Sequence, residues 1–144
     1  MKTSSQEIII NHHPLELYKI VLDIEKYPEF IPWCLDVEIK SKTKNNIIAD
    51  LLVNYRFFKK TFTSEVIFDS NNLIIDVIYI KGPLKNLQNQ WKFEKIDDNK
   101  TKVHFKIQFE FKNIIYQKIS ETFFYLIENK MINSFKKRAD EILN

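Results

Sequence analysis

From Leu35 to Phe111 apolar and polar residues alternate with a period of two, the mark of strands with one dry and one wet face. Val37 and Ile39 alternate with Glu38 and Lys40. Ala49, Leu51, Val53, Tyr55 and Phe57 alternate with Asp50, Asn54 and Arg56. Phe62, Ser64, Val66 and Phe68 share the next face, followed by Leu73, Ile75, Val77 and Tyr79 and then by Leu87, Asn89, Trp91 and Phe93. The cleanest run is Val103, Phe105, Ile107, Phe109 and Phe111, set against Lys102, His104, Lys106, Gln108 and Glu110. Polar clusters at 44–46, 69–72 and 97–100 read as turns, and Lys81-Gly82-Pro83 interrupts the pattern once more. These runs predict an antiparallel meander, with residues 6–11 as a short strand ahead of it.

Two segments have a helical period. His13-Pro14 opens the first, with Pro at the position where its missing N–H costs nothing. Leu17, Ile20, Val21 and Ile24 form its apolar face, and His13 is a poorer N-cap than Ser, Thr or Asp. Pro28 and Pro32 then confine Tyr27–Trp33 to a short turn or loop rich in large side chains. After Asn113, Ile115, Ile119, Phe123, Ile127, Met131, Phe135 and Ala139 recur at i, i+4 with no Gly or Pro between them. One helix of about 28 residues, roughly 42 Å long, fits this stripe. An apolar stripe of that length must lie along the dry face of the sheet. The expected architecture is α+β: a helix grip in which a curved antiparallel sheet of about seven strands wraps a long C-terminal helix, with residues 1–144 forming one domain. A bent sheet and a straight helix do not close along their whole length, so the gap between them is a place for an apolar ligand.

Composition narrows the function classes. With 44% hydrophobic, 14% aromatic and 28% charged residues, the chain is globular. The single glycine, Gly82, excludes chemistry built on a glycine-rich phosphate cradle. The net charge of +3 rests on Lys, amid 22 Ile and 13 Asn, which reads as coding bias and not as selection for nucleic acid. A lone cysteine, Cys34, fits a reducing compartment. Ile8–Ile10 is too short for a signal-peptide core, and no run approaches a membrane span. The expectation is a soluble cytoplasmic protein, at most peripheral to a membrane.

No catalytic or metal-ligating set emerges. His12 and His13 are adjacent, so their side chains diverge, and no further cluster completes a zinc site. His104 and Glu65 fall on wet faces, Asp97-Asp98 in a turn, and Cys34 beside Trp33 reads as a packing thiol. Lys59-Lys60 and Lys136-Lys137-Arg138 read as solvated patches, with binding to an anionic partner as the alternative. The aromatics point inward and do not interleave with these cations as a nucleic-acid stacking surface would.

Three stretches resemble the START-like superfamily and, within it, the family shared by mitochondrial coenzyme Q-binding proteins and the bacterial ribosome-association toxin RatA. They are Tyr27-Pro28-Glu29-Phe30-Ile31-Pro32-Trp33-Cys34, the segment Gly82–Glu94, and Phe109-Glu110-Phe111 followed by Phe135-Lys136-Lys137-Arg138-Ala139. Two positions depart from the pattern: His13 stands where a small polar cap is usual, and Asn89 where Gly is common. Beginning directly on the domain, the sequence is more similar to the bacterial members.

The resemblance implies a non-enzymatic binding protein for ubiquinone or a related polyprenyl lipid, without a cofactor, supporting quinone delivery in respiration or biosynthesis. That role includes peripheral contact with the inner membrane. It also implies an alternative partner, the large ribosomal subunit, whose joining a RatA-type toxin blocks. Fold kinship alone adds a cyclase or dehydratase reading, and nothing points to DNA. Alternation parity and helix face assign the ligand lining to Trp33, Phe57, Phe62, Val66, Val77, Leu87, Trp91, Phe109, Phe123, Ile127 and Met131. Phe30 and Ile31, exposed together with Trp33, are the expected mouth or membrane contact.

Overall fold

The computed structural model describes residues 2–113 and 116–143. Its elements are β1 (Lys2–Ile10), α1 (Pro14–Leu22), a 3-10 turn (Ile24–Glu29), β2 (Cys34–Lys42), β3 (Asn46–Tyr55), β4 (Phe58–Asp69), β5 (Ile74–Lys81), β6 (Leu84–Asp97), β7 (Lys100–Phe111) and α2 (Gln117–Ile142). The strands form one seven-stranded sheet in the order β1-β7-β6-β5-β4-β3-β2, antiparallel at every pairing. The meander and the long closing helix are those the alternation predicts.

Burial follows the period of each element. Val103, Phe105, Ile107, Phe109 and Phe111 of β7 are all buried, as are Ile119, Phe123, Ile127, Phe135 and Ala139 of α2. Phe124 and Ile132 are buried too, which widens the helical stripe. Ile115, assigned to the head of that stripe, lies outside the described residues. The outer face of the sheet carries cross-strand polar pairs instead. His104 meets Glu94 at 2.8 Å and Glu7 at 3.3 Å, and Gln90 donates to Asp76 at 2.9 Å.

Local details depart from the sequence reading in two places. β1 starts at Lys2, not residue 6, because the polar Lys2–Gln6 stretch pairs with β7 in unbroken register, Lys2 opposite Phe109 and Ile10 opposite Thr101. Ladder hydrogen bonds there override the missing alternation. His13 does cap α1: its Nδ1 accepts the Leu15 N–H at 3.2 Å, doing what a Ser or Asp oxygen does at that position. Beside it, His12 Nε2 meets Asp140 Oδ1 at 2.7 Å and ties the end of α2 to the start of α1. The β4–β5 turn is organised by Asp69, whose Oδ1 accepts the N–H groups of Asn71 at 3.0 Å and Asn72 at 3.1 Å.

Gly82 is the residue that joins β5 to β6, at φ +144. A Cβ at this site would lie 2.9 Å from both the Thr61 carbonyl oxygen and the Tyr79 hydroxyl. That hydroxyl also accepts the Leu84 N–H at 2.9 Å, so the turn is closed on itself. Gly82→Ala is expected to lower stability by about 1–3 kcal/mol through strain and contact together. Denaturant unfolding checks this, and a midpoint equal to that of the parent chain would contradict it.

Candidate functional site: the hollow under the long helix

The gap between sheet and helix has a cause in residue size. On the inner face, Val66 of β4, Val77 of β5, Asn89 of β6 and Ile107 of β7 stand opposite one another in register. This row of small and medium side chains crosses the middle of the sheet. Larger rings fill the space at either end. At one end Phe109 packs on Phe124 with centroids 5.5 Å apart, and Phe58 on Phe111 at 5.5 Å. At the other, Phe135 sits 4.9 Å from Trp91 and 5.3 Å from Tyr27. The rings hold α2 off the sheet, and the short residues between them cannot reach it. What remains is a cavity of about 140 Å³, counted as the space that the centre of a water can occupy.

Trp33, Phe62, Val66, Val77, Leu87, Trp91, Phe123, Ile127 and Met131 line this cavity. Two further residues assigned to it lie elsewhere. Phe109 has the right parity but is only 1% exposed, wedged between Phe111, Phe123 and Phe124 at the closed end, where it is solid core. Phe57 is 82% exposed, because β3 ends at Tyr55 and the chain turns through Arg56-Phe57 before parity can carry Phe57 inward. The expected mouth residues are also placed differently. Ile31 is 2% and Trp33 5% exposed, both turned into the core, and Phe30 is half-buried.

Lining residues that the sequence reading missed include Leu51, Val53, Ile75 and Ile107, which share the parity of residues that were assigned. Val21, Ile24 and Tyr27 come from α1 and the 3-10 turn, which carry no strand parity to follow. Two polar side chains, Ser64 and Asn89, interrupt the apolar wall. Asn89 Nδ2 donates to the Lys106 carbonyl at 2.8 Å, and its Oδ1 accepts the Trp91 indole N–H at 3.2 Å, so it fixes the indole in place. This is an ordinary strand position with a working side chain, where neither a tight turn nor a glycine is required. Ser64 is buried, on the cavity wall. No His, Cys, Asp, Glu or Lys lines the cavity among the described residues, nor does any group of three or more such ligands stand ready for a metal ion.

The Tyr27–Cys34 segment is fastened over one end of the hollow. Arg138 Nη2 donates to Glu29 Oε1 at 2.9 Å, and its guanidinium stacks 5.1 Å from the Phe30 ring centre. Phe30 in turn packs edge-on against Phe135 at 5.1 Å. Tyr27 donates its hydroxyl to the Val21 carbonyl, and burial pushes that hydroxyl far above the usual tyrosine range. Burial, with a smaller contribution from Asp36, likewise pushes the Cys34 thiol up to about 11. The Arg138 hydrogen bond holds the Glu29 carboxyl below the ordinary glutamate range.

The strand order, the grip of the long helix and the hollow beneath it define a START-like helix-grip protein. Residues 10–136 match the family described as polyketide cyclase / dehydrase and lipid transport, and the chain belongs to that family. A ribosome association toxin RatA of Rickettsia prowazekii is 31% identical over 138 residues, spanning 94% of this chain and 94% of that protein. The mitochondrial coenzyme Q-binding protein COQ10 of Dictyostelium discoideum is 33% identical over 130 residues, spanning 88% of this chain and 63% of that one. Among solved structures, the Zhui aromatase/cyclase of Streptomyces sp. R1128 has a TM-score of 0.86 at 14% identity, with 99% of this chain and 96% of that one covered, which is a likeness of fold.

Two titrations test the fastened segment. A carboxyl whose folded pKa is lowered contributes stability above its unfolded pKa and loses it as pH falls through the lower folded value. Glu29 is therefore expected to titrate below an ordinary glutamate in an NMR pH series, and to return to the ordinary range in Arg138→Gln. The buried Cys34 is expected to resist iodoacetamide at pH 8 in the native protein and to react promptly once unfolded. Rapid native alkylation would show that the thiol is neither buried nor raised.

Proposed function

We propose that the protein binds ubiquinone or a related polyprenyl lipid in the hollow under α2, without catalysing a reaction on it, and supports quinone delivery in respiration or biosynthesis. The observation that carries this reading is the apolar cavity itself, walled by Trp33, Phe62, Val66, Trp91, Ile127 and their neighbours. An isoprenoid tail gains about 0.8 kcal/mol for each CH₂ buried, before association costs. A cavity of about 140 Å³ is close to one that accepts a single benzene-sized ring. It therefore takes the quinone ring or the first isoprene units, and the rest of a long tail stays outside. The Ser64 hydroxyl supplies the hydrogen bond that orients a quinone carbonyl. Two features support a non-enzymatic role. The lining holds no acid–base pair, and the Tyr27 hydroxyl is engaged by Val21 and held protonated by burial. The coenzyme Q-binding relative agrees with this class of ligand.

A second reading, association with the large ribosomal subunit, is favoured by the end-to-end match to a protein named ribosome association toxin RatA. Binding of that kind rests on Lys and falls steeply with salt. Sedimentation of cell extract distinguishes the two, since co-migration with the large subunit that moderate salt abolishes belongs to the ribosomal reading alone.

Trp33 and Trp91 both face the cavity, so a bound quinone is expected to quench their fluorescence. Titration with a short-tailed ubiquinone should give saturable quenching. Ser64→Ala should weaken binding severalfold, by about 0.5–1.5 kcal/mol. Ile127→Trp, which fills the hollow, should reduce affinity by about tenfold or more. Lipid extraction that returns no isoprenoid, together with no quenching by added quinone, would overturn the carrier reading.

A further inference from the structure

The β3–β4 hairpin turns through Arg56-Phe57, between Tyr55 and Phe58, which pair in register. Tight hairpins favour Gly, Asn or Asp where the backbone enters positive φ. Here the residue at φ 57 is Arg56, and next to it Phe57 stands 82% exposed. Neither residue type suits the turn, and Phe57 adds nothing to the core. The base of the hairpin, by contrast, is held firmly. Phe58 is buried against Phe111 at 5.5 Å and Tyr116 at 5.3 Å, and the Arg56 guanidinium lies 5.3 Å from the Tyr55 ring centre. The tip is an apolar ring carried on a braced finger at the end of the sheet where β7 finishes and α2 begins.

Cations stand at the same end of the sheet. The β5–β6 turn lies at the same end, since Gly82 abuts Thr61 and the Pro83 carbonyl accepts the Lys112 N–H at 3.0 Å. Arg56, Lys59, Lys60, Lys81 and Lys112 are all exposed there, and none makes an ion pair among the described residues. Glu110, at the end of β7, is taken up by Lys85 at 3.8 Å. Elsewhere some lysines are matched, as Lys26 is by Glu29, Lys95 by Asp98 and Lys102 by Glu7, while others such as Lys92 and Lys106 are in no ion pair among the described residues.

We propose that this hairpin tip is a membrane-docking surface. Phe57 enters the boundary of an anionic bilayer while Arg56, Lys59, Lys60, Lys81 and Lys112 face its phosphates. An apolar side chain rewarded by hydrocarbon, set beside cations rewarded by anionic headgroups, is the combination that peripheral binding uses. Single-stranded nucleic acid instead calls for several rings along a basic groove, and of the hairpin's rings only Phe57 is exposed, with Tyr55 half-buried and Phe58 buried. No helix among the described residues is long and apolar enough to cross a membrane, so the contact is peripheral. The inference stands on the surface alone and does not depend on what fills the cavity.

Co-sedimentation of the full chain with vesicles tests it. The protein should bind phosphatidylglycerol/phosphatidylcholine vesicles, bind pure phosphatidylcholine far less, and dissociate at about 0.5 M salt. Phe57→Ser and the pair Lys59→Glu/Lys60→Glu should each weaken binding about tenfold. Phe57→Ser should unfold at the same temperature as the parent chain, because the side chain is off the core. Phe57→Trp should show a blue-shifted emission on anionic vesicles. The proposal is overturned by vesicle binding that Phe57→Ser leaves unchanged, by an unmoved Phe57→Trp emission, or by retention on ribosomes or RNA with none on vesicles. Quinone quenching in Phe57→Ser should match the parent, so failure at the membrane and failure of the cavity reading are told apart.

Discussion

A curved sheet and a straight helix can be in contact at both ends only if something gives in the middle. In this chain the sheet yields, in the sizes of its inward residues. Val66, Val77, Asn89 and Ile107 cross the centre in one register row, while phenylalanines crowd the β7–α2 end and Tyr27, Trp91 and Phe135 crowd the other. Protein interiors are normally packed to crystal density, so an unfilled space is a cost that the surrounding contacts must offset. The offset here comes from edge-to-face aromatic pairs at the two ends, which hold the helix at a fixed standoff. The hollow is therefore a property of the frame. Shrinking one lining residue would enlarge it without letting the helix fall in.

The fastening of Tyr27–Cys34 follows from the same geometry. The segment leaves the 3-10 turn that contains Pro28 and passes Pro32 into β2, held by short-range turn bonds such as Ile31 N–H to the Tyr27 carbonyl at 2.8 Å and, beyond them, by side chains. Arg138 supplies a hydrogen bond to Glu29 and a stacked cation over Phe30, both from the last turns of α2. His12 with Asp140 secures the same stretch of helix to the approach of α1. These contacts are partly exposed and individually worth little.

Much of this was legible in the chain, and the failures have separate causes. Alternation located every strand of the meander, because an antiparallel sheet with one wet face writes its period directly into the sequence. It also placed Phe62, Val66, Val77, Leu87 and Trp91 on the cavity wall. Parity tells which face a residue is on but not how far along that face the helix touches down. Phe109 therefore has the correct parity and still lies in solid core. Phe57 fails for the opposite reason: parity was extended past the end of β3 into a turn whose composition gives no turn signal. The exposure expected of Ile31 and Trp33 rests on their fitness for a membrane interface, yet Pro32 is the residue at the surface and its two neighbours turn inward. Parity puts Ser64 on the inward face beside Phe62 and Val66, but it does not tell that this hydroxyl reaches the cavity.

The proposed carrier role asks for a balance that the dimensions of the hollow already express. A pocket that enclosed a whole polyprenyl tail would bind too tightly to release it, at about 0.8 kcal/mol for each buried CH₂. A cavity of about 140 Å³ holds a ring or a few methylenes and leaves the remaining tail needing apolar cover elsewhere. A bilayer provides that cover without further protein. Shallow capture is thus coherent with a protein that works at a lipid surface, and less so with one that ferries its ligand through water. An enzyme would need the reverse: a reacting atom held against a proton donor or acceptor. In this cavity the groups within reach are one serine hydroxyl, an asparagine already spent on Trp91 and Lys106, and a tyrosine kept neutral by burial. Among the described residues such a wall can orient a carbonyl, which is what the proposed role asks of it.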